Sequence, residues 1–287
     1  MSLLIARIVL PLLLLTLTGC LQASPAQESK HTRSLERWFP DPGAQALAVA
    51  AELGDAAEVR RLMKDQGVNP DKHFSPEGMP LVAWPIYTKN PAGLKAMLEN
   101  GADPNAAKNY PLPPDRTPRN YDNSLVLAVK EDDSIYLNLL LDHGGNPDTR
   151  NVNNESLLFQ AYIWQNQWQN VQLLVERGAD VNVDKASYPI VSSYAISGAF
   201  KNVYWLLEHG ANPDNDGLRK STINSIYWMP VKDQAYEWQL KCQQWLLARG
   251  YERPPMPEHH RRTRADFGFP IEEKDIPLPN TSKETTP

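Results

Sequence analysis

The sequence predicts an all-α fold, a solenoid of five to six helix-turn-helix repeats joined by short hairpin fingers. One observation is a recurring segment, in which an apolar pair and a short polar step lead to a glycine and an Asn/Asp-containing turn. The glycines lie 34, 43, 34, 32 and 40 residues apart, at Gly67, Gly101, Gly144, Gly178, Gly210 and Gly250. A second observation is i, i+3, i+4 apolar spacing before the glycine, as at Val171, Leu174 and Val175. Units of this kind bury their apolar faces by stacking on each other.

The residue types of the recurring segment have physical reasons. A glycine after the last turn of a helix adopts the left-handed conformation that L-residues avoid, and so it ends the helix. Asn, Asp and Pro then favour a tight turn. At this turn the aspartates are predicted to accept local backbone hydrogen bonds rather than to bind a metal. These aspartates are Asp103, Asp148, Asp180 and Asp214.

The recurring segment resembles that of ankyrin repeats over about residues 44–251. The opening motif of that family, Gly-x-Thr-Pro-Leu-His, survives in part at residues 78–81 (Gly-Met-Pro-Leu) and more weakly at residues 154–158 (Asn-Glu-Ser-Leu-Leu). The resemblance implies two antiparallel helices in each repeat, and a surface of fingers and first helices that binds another protein. The partial motif indicates divergence, so distorted outer repeats are expected.

Two intervals exceed the ankyrin period of about 33 residues, and the excess is predicted to loop out. The first excess is assigned to residues 106–122, where four prolines exclude a helix and favour a long, extended finger. The second is assigned to the region between the helices of the last repeat, around residues 228–238. After the array, residues 252–287 hold seven prolines and are predicted to form an irregular tail that packs on the final repeat.

The first residues resemble a lipoprotein signal. Arg7 precedes an apolar run that is too short to span a bilayer, and the run ends in Leu-Thr-Gly-Cys at Cys20. This tetrapeptide resembles the bacterial lipobox, which implies a signal peptide at residues 1–19, a lipid on Cys20 and a polar tether over residues 20–43. Leu21 resembles the sorting signal of outer-membrane lipoproteins, so the expected location is the outer membrane, facing the periplasm. The alternatives are an ordinary signal peptide and a short uncleaved anchor.

Composition and motifs argue against several functions. The formal net charge is −5, so the chain lacks the basic field that a nucleic-acid partner requires. There is no nucleophile elbow, His-Glu-x-x-His zinc motif or phosphate-cradling glycine loop, so no enzyme activity, cofactor or metal is expected. With Cys20 lipidated, Cys242 has no disulfide partner and is predicted to be an inert residue on an apolar helix face.

Six histidines are dispersed along the chain. His143 and His209 come just before the repeat glycine and are predicted to stabilise helix C-termini. One basic cluster lies in the tail, at His259, His260, Arg261, Arg262 and Arg264. Two interpretations fit it: contact with anionic lipid headgroups or an acidic partner, or a solvated run of charge.

The repeat register predicts the residues that contact the partner. They are exposed positions of the first helices and of the fingers: Tyr87, Tyr110, Arg116, Arg119, Lys130, Glu131, Arg150, Gln165 and Lys185. Tyr87 and Tyr110 are the expected anchors, because rigid aromatic side chains concentrate binding energy at interfaces. Trp164, Trp168 and Trp205 are predicted to pack between helices instead.

A lipobox followed by an ankyrin array resembles the periplasmic immunity proteins that accompany lipase effectors of type VI secretion. The resemblance implies a membrane-anchored protein that binds and neutralises a toxin effector, a lipase in particular. Anchoring raises the local concentration of such a binder at the surface under attack. The alternative is a periplasmic scaffold that supports an envelope enzyme or a stress response.

Overall fold

The computed structural model describes residues 32–111, 120–183, 189–216 and 220–279, with side chains from Leu35 onwards. Within these ranges the chain forms six antiparallel helix pairs and one further helix after them. Six of the residues singled out from the sequence lie outside the described residues: Arg7, Cys20, Leu21, Arg116, Arg119 and Lys185.

Helix α1 (Thr32–Trp38) precedes the helix pairs. The pairs are α2 (Pro42–Leu53) with α3 (Ala56–Arg60), α4 (Trp84–Tyr87) with α5 (Pro91–Glu99), α6 (Ser124–Ala128) with α7 (Ile135–Asp142), α8 (Leu157–Ile163) with α9 (Trp168–Glu176), α10 (Ile190–Ile196) with α11 (Phe200–Glu208), and α12 (Ser221–Trp228) with α13 (Asp233–Ala248). A π-helical turn (Arg61–Asp65) extends α3, and 3-10 turns lie at Pro70–Lys72 and Leu81–Ala83. Helix α14 (Glu258–Asp266) and a 3-10 turn (Glu273–Asp275) follow. The predicted all-α repeat solenoid is confirmed.

One continuous apolar core runs through the stack. Second helices pack on second helices, as α5 does on α3 and α7, and first helices pack on first helices, as α10 does on α8 and α12. An equivalent position on each second helix, four or five residues before the repeat glycine, is at most 1% exposed. These residues are Leu62, Met97, Leu140, Leu174, Leu206 and Leu246. The packing is close, because a Cβ added at Gly93 of α5 would lie 1.8 Å from the carbonyl oxygen of Ala51 in α2.

The turns after the repeat glycines are joined by a ladder of hydrogen bonds from one repeat to the next. In each rung, a side-chain oxygen at the end of one turn accepts from the backbone N–H at the start of the next turn. The accepting and donating residues are Asp71 and Asp103 (2.9 Å), Asn105 and Asn146 (2.7 Å), Asp148 and Asp180 (2.8 Å), and Asn182 and Asn212 (2.9 Å). The sequence predicted only local bonds, and Asp103 and Asp180 do accept them from the N–H groups of Asn105 and Asn182. For Asp148 and Asp214 the prediction is wrong, because there an asparagine two residues earlier is the local acceptor and the N–H of the aspartate donates to it.

The fingers are short hairpins where the structure describes them. Isolated antiparallel bridges pair Phe74 with Pro80, Asn109 with Asn120, and Arg150 with Ser156. The middle bridge closes the base of the long proline-rich finger predicted at residues 106–122, whose residues 112–119 lie outside the described part of the chain.

The structure differs from the prediction of a polar tether before the array. Helix α1 lies within residues 20–43, and both Leu35 and Phe39 are only 1% exposed. The Trp38 ring packs edge-on against Trp84, with 5.7 Å between the ring centroids. Leu35, Trp38 and Phe39 have i, i+3, i+4 spacing, an apolar helix face that the tether prediction overlooked. The described part of this segment is therefore an extra helix that covers the first repeats.

The last repeat and the tail differ from the prediction as well. The excess length does not loop out around residues 228–238, because α13 begins five residues after α12 ends and is itself 16 residues long. The tail is not irregular throughout, since α14 forms within it. His260 and Arg264 of this helix are each 6% exposed, so the basic cluster is not simply a solvated run of charge.

Candidate protein-binding surface

Side chains that are exposed or only partly buried recur where the first helices end, on the side away from the fingers. We call this set the helix-end row; its members are Tyr87, Lys130, Glu131, Ile163, Trp164 and Ile196. Tyr87, Ile163 and Ile196 are each the last residue of a first helix, and they are 50%, 46% and 54% exposed. Because the repeats stack in register, equivalent positions line up along one edge of the solenoid.

Tyr87 is held rigidly although half of it is exposed. Its ring lies 5.4 Å from the Trp38 ring and 5.3 Å from the Trp84 ring, centroid to centroid. Trp84 is fully buried, so it fixes the position of the tyrosine against the core. An aromatic side chain that is already ordered loses little conformational entropy when it binds a partner.

Lys130 and Glu131 form polar links between neighbouring repeats. Glu131 pairs with Lys89 of the preceding repeat. The ammonium group of Lys130 lies 3.5 Å from the carboxylate of Asp122 and 5.0 Å from the centroid of the Trp164 ring in the following repeat. These contacts tie the charged members of the row to its aromatic members.

Trp164 contradicts the prediction that it packs between helices. It follows α8 directly and is 48% exposed. The next two residues, Gln165 and Asn166, have positive φ angles of 55° and 53°, and this tight turn presents the indole at the surface. The turn is fixed from the next repeat, because the Tyr194 hydroxyl donates to Asn166 Oδ1 at 2.7 Å. The sequence contained a signal for it in the Trp-Gln-Asn run at the end of a short helix.

Trp168 and Trp205 do pack between helices. Their rings meet edge-on with 5.4 Å between centroids, and Trp168 also contacts the buried Tyr194 at 5.1 Å. They lie on the second helices α9 and α11, where burial between repeats is the rule.

The finger residues form a second, separate group. The Tyr110 ring lies 4.8 Å from the Tyr121 ring, and a Cβ added at Gly78 would lie 2.2 Å from Tyr121, so neighbouring fingers touch. Arg150 donates to the carbonyl of Asn154 at 2.6 Å and to that of Val183 at 3.3 Å. A polar cleft of about 580 Å³ lies between these fingers, and Arg150 and Tyr121 line it.

The predicted contact residues therefore divide between two ends of the first helices. Tyr87, Lys130, Glu131 and Gln165 lie at the helix ends, whereas Tyr110 and Arg150 lie on the fingers. Ile163 and Ile196 are exposed apolar residues that the sequence reasoning missed. The apolar spacing of a first helix does not distinguish a final residue that is buried from one that projects past the neighbouring repeat.

The cysteine and the two repeat histidines that the sequence singled out make structural contacts. Burial raises the pKa of the Cys242 thiol, which is fully buried and points at the carbonyl oxygen of Phe200. His143 and His209 bond through Nδ1 to helix carbonyls four residues earlier, at 2.8 and 2.7 Å. Among the described residues, no group of three or more His, Cys, Asp or Glu side chains could hold a metal ion. In the same ranges no helix has the length and apolar character needed to cross a bilayer.

Comparison with solved structures supports the repeat architecture. The ankyrin repeat domain of Bcl-3, described as a unique member of the IkappaB protein family, superposes with a TM-score of 0.53 at 22% identity, over 72% of this chain and 86% of that one. The ankyrin repeat protein EF0377 aligns with a TM-score of 0.47 at 21% identity, over 60% of this chain and 84% of its own. No family model matches the sequence, and no curated protein does. The chain has the ankyrin-repeat fold.

Proposed function

We propose that this chain is a protein-binding module and that the helix-end row is its principal contact surface. The observation that carries the proposal is the alignment of Tyr87, Trp164 and Ile196, each about half exposed, along one edge of the solenoid. Exposed apolar side chains that line up in this way favour a protein partner, since scattered single ones need no explanation. Charged neighbours around aromatic anchors are typical of interface rims.

The finer proposal is that the protein is a membrane-anchored immunity protein in the periplasm. Its support is the lipobox-like sequence at Cys20 in front of an ankyrin array. On this proposal it binds and neutralises a toxin effector, in particular a lipase, and the lipid on Cys20 holds it at the outer membrane. Contacts on the fingers, near Tyr110 and Arg150, would add to those of the helix-end row.

A pull-down with a rescue assay tests this proposal. The soluble part, residues 21–287, is presented to the products of the neighbouring genes, and each product that binds is then expressed in the periplasm with and without the full chain. We expect one product to bind and to be toxic only when the full chain is absent. A product that binds without being toxic would replace the immunity proposal with the scaffold alternative.

Anchoring is tested separately by Cys20→Ser. The expected result is loss of the protein from the membrane fraction, because the acyl chains that hold it there have no attachment site. Unchanged membrane fractionation would contradict lipidation of Cys20 and leave the binding proposal untouched.

A further inference from the structure

A cleft of about 380 Å³ lies between the sixth helix pair and the C-terminal cap, which we define as residues 253–279. Its volume is in the range of small-molecule sites. Apolar side chains make up much of its wall: Met229, Val231, Phe269 and Ile276. The cleft lies just beyond the end of α12, where its lining residue Val231 would be 3.3 Å from a Cβ added at Gly198. No member of the helix-end row lines it, so the proposed protein-binding function does not use it.

Arg264 is the one charged lining residue that is buried, among the residues that the structure describes. It is 6% exposed, whereas Lys232, Asp233 and Asp275 around the same cleft are exposed. Arg264 Nε donates to the carbonyl of Pro270 at 2.7 Å, and Nη1 donates to that of Trp228 at 3.2 Å. The guanidinium also lies over the Phe269 ring, 5.6 Å from its centroid. Within the described ranges, Nη2 has no acceptor and no carboxylate lies within ion-pair distance of the guanidinium.

A buried guanidinium without a counter-ion is costly, because carbonyl acceptors do not neutralise its charge. Burial lowers the pKa of Arg264, although an arginine still keeps its proton at neutral pH. The glutamines beside it are already engaged: Gln239 Nε2 donates to the carbonyl of Met229 at 2.9 Å, and Gln243 Nε2 to that of Ile226 at 2.9 Å. The carbonyl groups at the end of α12 thus accept hydrogen bonds from these side chains, while Arg264 has no counter-ion among the described residues.

Arg264 is the donor that the cleft offers to a ligand. Its Nη2 has no acceptor in the described part of the chain, and the whole residue is only 6% exposed. The Tyr227 hydroxyl also lacks a hydrogen-bond partner, but it has no accessible surface, so a ligand in the cleft does not reach it.

We propose that this cleft binds a small monocarboxylate with an apolar body, whose carboxylate accepts a hydrogen bond from Arg264. The body of the ligand lies against Met229, Val231, Phe269 and Ile276. A single buried cation matches a single negative charge. Asp233 and Asp275 near the cleft disfavour a dianion such as a phosphate monoester, and a neutral ligand would leave the guanidinium uncompensated.

The test is calorimetric titration of the purified full-length protein with octanoate, corrected with a detergent blank. Octanamide serves as the matched neutral ligand, since it has the same chain and no charge. We expect octanoate to bind with one site per chain and octanamide to bind at least tenfold more weakly. Failure of octanoate to bind, or equal binding of the amide, would overturn the proposal.

Three variants locate the site. Arg264→Gln is expected to weaken octanoate binding at least tenfold. Val231→Asp puts a negative charge on the wall of the cleft at a side chain that is only partly buried, so it should also weaken octanoate binding at least tenfold while the circular dichroism stays that of the parent protein. Arg262→Gln, on the same helix as Arg264 and with a side chain 73% exposed, is the control and should bind as the parent does. Unchanged affinity in Arg264→Gln would overturn the proposal; if that variant does not fold, unchanged affinity in Val231→Asp would do so.

Discussion

The middle repeats and the C-terminal cap are stabilised by different kinds of contact. From α6 to α11, helices of five to nine residues recur and the core is apolar. The turns between these repeats are joined by the ladder of hydrogen bonds to Asn and Asp side chains. The ladder's last rung among the described residues ends at Asn212, α13 extends to 16 residues, and the cap buries His260 and Arg264. The array is stabilised by equivalent contacts that recur in every layer, whereas the cap depends on individual contacts that have no equivalent in the other repeats. Stability in the array is therefore distributed over many layers, whereas stability in the cap is concentrated in a few side chains.

The largest expected effect is in the array core. Leu174→Ala removes a fully buried side chain between layers and should lower the free energy of unfolding by about 3 kcal/mol. Denaturant titration followed by circular dichroism measures this. Leu173→Ala on the same helix is the matched control, since Leu173 is only partly buried and should cost clearly less. Equal losses would mean that the core of the array does not run through this position.

Removal of the cap is expected to act locally. A chain ending at Glu252 exposes Trp228, which is fully buried and whose Nε1 donates to the carbonyl of Pro254 at 3.2 Å. Burial of a side chain of this size contributes about 2–3 kcal/mol. Hydrogen exchange should therefore speed up in α12 and α13 while α6–α9 stay protected. Loss of protection throughout would show that the cap supports the whole stack.

Acid should weaken the cap before it weakens the array. Burial, helped by the charges of His259 and Arg264, lowers the pKa of His260 to about 4. In the unfolded chain this histidine titrates near its ordinary value of about 6.5, so the unfolded state binds more protons between these two values. Stability is thus complete above pH 6.5 and falls as the pH drops towards 4, by up to about 3 kcal/mol. His260→Gln should remove most of this pH dependence of hydrogen exchange in α14, whereas exposed His259→Gln should retain most of it.

The smallest effect is expected for one rung of the ladder. Asn182 accepts from the N–H of Asn212, and its Nδ2 donates to the carbonyl of Gly210 at 3.0 Å. Asn182→Ala should cost about 1 kcal/mol, the usual contribution of such exposed hydrogen bonds. Asn153→Ala, an exposed finger residue outside the ladder, is the control and should leave the unfolding midpoint unchanged. If the two variants behave alike, the ladder contributes nothing measurable.

The same contrast explains what could be predicted from the sequence. The helix pairs were predictable because each layer repeats its apolar spacing and its glycine, so one local rule applies six times. Helix α1 and the cap could not be predicted in this way, since Phe39 and Arg264 are buried by contacts with residues far along the chain. Within the helix-end row, Tyr87 and Lys130 followed from the register, but the exposure of Trp164 depends on a left-handed turn fixed by Tyr194 of the next repeat.

Measuring the affinity of one double variant tests whether the helix-end row binds the partner. The partner obtained by pull-down is titrated with the parent protein, with Tyr87→Ala/Trp164→Ala, and with Phe267→Ala, an aromatic residue that is 67% exposed away from the row. Aromatic anchors at interfaces each contribute about 2 kcal/mol or more, so the double variant should bind at least 100-fold more weakly with an unchanged fold. Phe267→Ala should bind as the parent does. Undiminished affinity of the double variant would contradict the assignment of this surface.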